Sequence, residues 1–383
     1  MRQDVVVIGA GVQGCAVALR LAQAGKKVLV LERSIPGAEA SAAAGGILSP
    51  GVEAVEPGPF YALCRASLSR YAALARELEA ATGVHVGYRE GGTLEVAFDG
   101  EHAVVLAARA ERLERNGLPA EILDDAAVRR LEPGISPEAR GGLFFPDEAS
   151  VDPRPLARAL YLAAHGAGAR FRTGQVRRIV HEGGTVVGVE QEAGRIEAEV
   201  VVLAAGAWSG LVEGSLLPRG AVRPVRGQIA VLDTRPRLLS RVIFSDKGYV
   251  VPRADGRLLC GSTMEEVGFE KAVTAAGLHG VLGMALQIAP GLAHAEVVET
   301  WSNFRPASPD GWPVLGAARA AGLFYATGHT RNGILLVPIT ADAVAAGVLG
   351  TAPPVDLAPF SAGRLHGALA HQEPSTERGA LSV

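Results

Sequence analysis

Eleven residues near the start of the chain constrain its fold more than any other segment. Residues 4–8 (DVVVI) are a β-branched run suited to a buried parallel strand, and Gly9-Ala10-Gly11-Val12-Gln13-Gly14 follows at once. Residues 15–24 are strong helix formers closed by Gly25, and residues 27–31 (KVLVL) predict a second strand ending in Glu32. Each part has a physical task. Gly9 makes a tight turn, Gly11 admits a close backbone approach to a pyrophosphate, and Gly14 lets the helix lie against the strand. The helix start offers free N–H groups and the positive end of a dipole to phosphates. Glu32, 18 residues beyond Gly14, is placed to accept from adenosine ribose hydroxyls and disfavours a 2′-phosphate. Strand, glycine loop, helix and acid together predict a dinucleotide-binding βαβ unit; the alternative is a glycine-rich turn of another α/β fold.

Composition enters as a set of exclusions. A net charge of −3 from 37 basic and 40 acidic residues, without a basic block, argues against nucleic acid, because phosphate binding needs clustered Lys and Arg. Cys15, Cys64 and Cys260 show no metal-ligand spacing, and read as reduced thiols of a cytoplasmic protein. Residues 4–24 are apolar enough to imitate an export signal, but such a segment has no use for glycines at 9, 11 and 14. No other stretch is long and apolar enough for a membrane span. With 383 residues, two domains are expected.

The choice between NAD and FAD rests on residues 37–46 (GAEASAAAGG). A run of tiny residues after the second strand can lie against a flat ring system, which an NAD dehydrogenase does not require there; a flexible linker would favour Gly and Ser over Ala. Farther on, residues 200–204 (VVVLA) predict a buried strand, with Gly206 allowing close approach to a ligand. Residues 324–327 predict another strand, and a helix is expected from Gly333 to about residue 349, with Asn332 as its N-cap and Pro338 in its first turns. Residues 86–100 and 222–265 alternate like antiparallel sheet, residues 65–82 and 101–116 like amphipathic helices. The segment after residue 369 has no periodicity and is expected to be disordered.

Several separated motifs carry a family resemblance over nearly the whole chain. They are VVVIGAGVQG (5–14), SAAAGGILSP (41–50), VVVLAAGAWSG (200–210), PVRGQ (224–228), GYVVPRADGRLLCGSTME (248–265), FRPASPDGWPVLG (304–316) and ATGHTRNGILLVP (326–338). In order and spacing the chain resembles the D-amino-acid-oxidase-like flavoproteins, within them the glycine-oxidase (ThiO-like) branch. The resemblance implies an α/β plus α+β fold: a doubly wound Rossmann-type FAD domain with an interleaved mixed or antiparallel-sheet substrate domain. The corresponding division is 1–85, 145–220 and 300–365 for the FAD domain, 86–144 and 221–299 for the substrate domain, and a tail at 369–383.

The same resemblance supplies candidate residues. Arg305 matches an arginine that clamps the substrate carboxylate, for which a planar fork is well suited; read without the motif, it is a surface arginine before Pro306. Arg331 matches a second active-site arginine, with a phosphate or backbone contact as the alternative. Tyr249 matches a tyrosine beside the substrate and Met264 a methionine that limits the pocket, each otherwise an ordinary core residue. For FAD the resemblance adds Val12 and Gln13 to the glycine loop, and Glu32-Arg33 at the ribose. It also adds Ser41 and Ala44-Gly45-Gly46 near the ring, Val176 at the adenine, and Gly328 through Leu335 (Gly328, His329, Thr330, Arg331, Asn332, Gly333, Ile334, Leu335) around the isoalloxazine. The helix following them is expected to aim its positive end at the flavin. His329 could be a base, but hydride transfer does not need one, and a loop role is favoured.

Related sarcosine oxidases attach flavin through a cysteine near 300–316; this chain has none there, so non-covalent FAD is expected. Residues 245–248 (SDKG) stand where some glycine oxidases carry histidine, which leaves the preferred side chain open. The resulting expectation is oxidation of glycine or a small amino acid or amine, with O2 as acceptor and thiamin thiazole synthesis as destination. Two alternatives stay open: a D-amino acid dehydrogenase delivering electrons to a quinone or carrier, and a flavin-binding protein without turnover. The sequence is compatible with a homo-oligomer and does not name the amine.

Overall fold

A computed structural model of the chain describes residues 2–53 and 56–366; the tail expected at 369–383 lies outside them. The first strand, Gln3–Ile8, pairs in parallel with Val28–Glu32 on one side and with Gly194–Leu203 on the other. The sheet continues outward through Arg170–Thr173 at one edge and the hairpin Val176–Glu182/Thr185–Gln191 at the other. Leu323–Thr327 joins in parallel beside Gly194–Leu203, with Val314–Ala317 antiparallel to it. Strands buried on both faces need near-continuous apolar sequence, which is why Val5, Val6 and Val7 and Val201–Leu203 are at 1% exposure or less.

Helices Val12–Gln23, Pro59–Thr82, Pro153–Gly166 and Val337–Leu349 enclose one core against this sheet. Val12–Gln23 begins three residues earlier than the sequence suggested, because the chain is already helical where it leaves Gly11. Pro59 opens its helix in the first turn, where a missing N–H costs nothing, and Gly83 closes it in the left-handed conformation at φ +69°.

A second eight-stranded sheet follows the order Glu296–Ala307, Arg223–Asp233, Arg257–Gly261, Gly248–Pro252, Val242–Ser245, Thr93–Ala97, Gly141–Phe145, Glu121–Leu123. Its pairs are antiparallel except Val242–Ser245 with Thr93–Ala97, so the region expected to be antiparallel is mixed. Helix Ala275–Ile288 covers one face, capped by Thr274, whose Oγ1 accepts from Gly277 N–H at 3.1 Å. The fold is thus a mixed α/β architecture with a Rossmann-type sheet and a second sheet fed by separated stretches of chain. No helix among the described residues is long and apolar enough to cross a membrane.

One expected element is corrected. The last long helix starts at Val337, not Gly333, and Asn332 does not cap it. Pro338 lacks the N–H that would bind the Ile334 carbonyl in a regular ladder. That carbonyl accepts instead from Tyr71 Oη–H at 2.5 Å, and the Leu335 carbonyl from Ser67 Oγ–H at 2.6 Å. Residues 332–336 therefore form a separate turn, with Leu336 N–H donating to Asn332 O at 2.9 Å, ahead of the regular helix.

Candidate functional site

A cavity of about 440 Å³ runs from the glycine loop, past the small-residue run and the 329–334 turn, to the second sheet. At the loop end, Gly9 has φ +101°, and a Cβ there would lie 2.5 Å from Ala204 O. A Cβ at Gly14 would sit 1.9 Å from Gly9 O, so the helix packs directly on the turn as the fingerprint requires. Gly11 provides the helix with no capping side chain, and Val12 N–H donates to Ser41 Oγ at 3.0 Å. Glu32 accepts from Ala10 N–H at 2.8 Å and Ser34 N–H at 3.0 Å, which fixes its carboxylate at the cavity wall. Arg33 stacks over the Trp208 ring with its Cζ 3.6 Å from the centroid, and pairs with Glu39 at 2.9 Å.

The 328–333 turn (GHTRNG) is tied to both ends. Gln13 Nε2 donates to Gly333 O at 2.6 Å, joining the turn to the glycine loop. Thr330, a non-glycine residue at φ +49°, is held there by its N–H to Pro306 O (3.0 Å) and by Ser308 N–H to its Oγ1 (3.2 Å). A strained residue fixed from two sides beside a cavity is a common device for preorganising a site. His329 is turned away: its Nε2 meets Thr340 Oγ1 at 3.1 Å, and burial lowers its pKa to about 3, leaving a neutral imidazole. Opposite, the half-buried guanidinium of Arg253 donates to Gly45 O (2.9 Å) and Val151 O (3.0 Å), and Trp301 Nε1–H donates to Ala43 O (3.1 Å). The small-residue run is therefore pinned against the second sheet.

At that sheet, Arg305 projects from Glu296–Ala307 towards its neighbour Arg223–Asp233. Its Nη1 donates to Thr263 O at 3.0 Å and its Nη2 to Ser262 Oγ. Tyr249 contributes a further side-chain hydrogen bond, so two of its five N–H groups remain for other partners. Burial depresses its proton affinity, Tyr249 offsets part of that effect, and no carboxylate lies within ion-pair distance among the described residues. Gly227 makes the room: a Cβ there would stand 2.4 Å from Nη1. The Tyr249 ring lies between Gly45 and Gly261, whose added Cβ atoms would come within 3.1 and 3.0 Å of it. Met264, 55% exposed, lines the rim with Asp246 and Lys247. Arg331 is paired with Glu53 at 3.0 Å, and that carboxylate raises its proton affinity.

The structure brings Arg305, Tyr249, Arg331 and Met264 to one cavity with Gly9, Gly11, Val12, Gln13, Glu32, Arg33, Ser41, Ala44–Gly46, Val176, Gly206 and 329–334. Three expected residues are not on its wall. Gly14 lies beneath Gly9, Gly328 faces Val314, and Leu335 is a core side chain at 1% exposure. Sequence reasoning missed Gly227, Glu53, Trp208 and Arg253. Only Gly227 carried a local signal, since a glycine inside a strand marks a close approach; the others are set by contacts distant in sequence.

Two buried acceptors, Gln13 Oε1 and Asn332 Oδ1, lie on the wall without a hydrogen-bond partner among the described residues. Buried acceptors call for donors, and the hydroxyl and N–H groups of FAD are of that kind. Together with the glycine loop, Glu32 and the flat small-residue wall, the residues present fit FAD.

Comparison with known proteins agrees. The family described as FAD dependent oxidoreductase (DAO) matches residues 4–346. The bifunctional protein ThiO/ThiG of Trichormus variabilis is 39% identical over 90% of this chain and 52% of its own length, so the chain spans about half of that relative. Glycine oxidase of Geobacillus kaustophilus is 35% identical over 94% of this chain and 96% of its own. Its crystal structure superposes with a TM-score of 0.90 at 34% identity, covering 94% of this chain and 98% of that one. The iminodiacetate oxidase (IdaA) of Chelativorans sp. BNC1 has a TM-score of 0.84 at 29% identity, covering 93% and 98%. With fold, cradle and matched motifs in agreement, the chain belongs to the FAD dependent oxidoreductase (DAO) family.

Proposed function

We propose that this protein oxidises glycine or another small amino acid or amine to its imine, which water hydrolyses to an oxo acid and ammonia or an amine. H2O2 is the second product. The observation that carries this reading is Arg305: a half-buried guanidinium on the cavity wall, without a carboxylate partner among the described residues and with N–H groups to spare. An arginine so placed recognises a carboxylate bidentately. The chemistry FAD supplies when bound non-covalently is acceptance of two electrons and their delivery to O2.

The chain's own residues bind and orient. Arg305 holds the substrate carboxylate, Tyr249 walls the pocket beside it, and Met264 limits the space at the rim. Gln13, Glu32 and the 329–334 turn hold the dinucleotide. No side chain has to take a proton if the amine binds neutral, in keeping with a His329 that is buried, neutral and hydrogen-bonded to Thr340. The first sheet with its helices serves as the FAD domain and the second sheet as the substrate domain. Likeness to proteins named ThiO/ThiG supports a use of the product in thiamin thiazole formation. Three unpaired, buried cysteines suit a cytoplasmic setting.

The test is H2O2 release, compared with dye reduction, by the purified holoenzyme given glycine, sarcosine and D-alanine. Peroxide with at least one supports an oxidase. Dye reduction without peroxide would make it a dehydrogenase, and no reduction with any of the three would defeat the proposal.

A further inference from the structure

Two arginines face the substrate end of the cavity, and the fold treats them unequally. Arg305 has no carboxylate within ion-pair distance among the described residues, whereas Arg331 Nη2 lies 3.0 Å from Glu53 Oε1. Glu53 ends the short helix Pro50–Glu53, and its N–H donates to Ser49 O at 3.1 Å. The helix is pinned from within the protein: Gly51 N–H donates to the buried Glu148 Oε1 at 2.5 Å, and Gly51 O accepts from Arg109 Nη2. Glu53 is 12% exposed and Arg331 43%. The acid is thus the fixed partner and the guanidinium the half-exposed one.

The charges decide what this arrangement selects. Arg305, Arg331 and Glu53 together present one net positive charge, and Asp246 and Lys247 at the rim cancel. Arg331 and Glu53 act on Arg305 with opposite sign, so the three share one field. A single substrate carboxylate matches that net charge; a second would have to compete with Glu53 for Arg331. A like-charge juxtaposition at close range is an effective way to reject a wrong ligand. The fold itself does not impose the choice, since an iminodiacetate oxidase shares it at a TM-score of 0.84.

We propose that Glu53 is a specificity-determining residue: by occupying Arg331 it leaves Arg305 as the one arginine at this end of the cavity without a carboxylate partner among the described residues, so the cavity accepts amino monocarboxylates and rejects amino dicarboxylates such as iminodiacetate. This rests on the oxidase reading, and its test includes binding measurements that do not depend on turnover. Acetate and malonate binding to the holoenzyme is measured by calorimetry, alongside kcat/KM for glycine and iminodiacetate. Glu53→Gln is expected to raise the malonate-over-acetate affinity ratio, and the iminodiacetate-over-glycine kcat/KM ratio, by about tenfold. Arg331→Gln alone leaves Glu53 as an unpaired anion and is expected to weaken acetate by about tenfold, while the double variant Glu53→Gln/Arg331→Gln returns acetate to within about threefold of wild type.

Two results overturn the proposal: a malonate ratio unchanged in Glu53→Gln, or acetate binding as weak in the double variant as in Arg331→Gln. The double variant has no unpaired charge, so it decides the matter even if Glu53→Gln alone does not fold. If the wild-type protein binds acetate but oxidises no amine, the oxidase reading fails while the binding ratios still test the charge pairing.

Discussion

Replacing Gly227 by alanine separates the proposed clamp from the rest of the fold. Gly227 lies inside strand Arg223–Asp233, and its added Cβ would stand 2.4, 2.5 and 2.7 Å from Nη1, Nη2 and Cζ of Arg305. Ordinary contact begins near 3.4 Å, so the guanidinium must retreat by about 1 Å. The atoms that give way are the far end of a flexible side chain, so the strand itself need not move. The retreat strains the bonds to Thr263 O and Ser262 Oγ; losing one charged hydrogen bond costs about 1.5–3 kcal/mol. A 1 Å error in the clamp is far more serious for catalysis, on the order of 10²-fold in kcat/KM, or about 2.7 kcal/mol of transition-state stabilisation. The expected Gly227→Ala protein therefore folds and retains FAD, with a modest fall in Tm. Steady-state peroxide production from glycine should fall about a hundredfold in kcat/KM. If the variant keeps its FAD and oxidises glycine within about threefold of wild type, Arg305 is not the carboxylate clamp.

Two further outcomes follow from the geometry. Gly14→Ala places a Cβ 1.9 Å from Gly9 O, a backbone atom that cannot step aside, so FAD binding measured by flavin fluorescence should be lost along with at least about 3 kcal/mol of stability. His329 has a folded pKa of about 3 against 6.5 when unfolded, so the unfolded chain binds more protons between those values and stability is lost as pH falls below 6.5. At pH 5 that loss is about 2 kcal/mol relative to neutral pH, and His329→Gln should remove it from the pH dependence of urea unfolding; an unchanged profile would mean the imidazole is not buried neutral.

Much of the architecture was legible in short stretches whose physics is local. The run VVVI at 5–8 has to be a buried strand because none of its side chains tolerates water. The glycines at 9, 11 and 14 do jobs that a Cβ would obstruct, two of them measurable here as contacts of 2.5 and 1.9 Å. The error at 333–337 had a local cause with a distant remedy. Pro338 removed one donor, and Tyr71 and Ser67, more than 260 positions away, supplied others. No window of sequence around Pro338 contains that information. The chain likewise marked Arg305 and Arg331 as functional by motif, but could not say that one would stand free and the other would be paired.

Local sequence thus specified a dinucleotide-binding βαβ unit and its preference for a flat flavin over a nicotinamide, while Arg305 stood out only through the resemblance of its motif. The first two depend on residue types at fixed short spacing, where steric and hydrogen-bonding demands act between near neighbours. The charge at the Arg305 end of the cavity, in contrast, is set by the fold. Glu53 meets Arg331 across 278 positions, and Gly227 gives Arg305 its room from a neighbouring strand. Electrostatic fields and excluded volume act through space, and the chain order does not encode which side chains will share it.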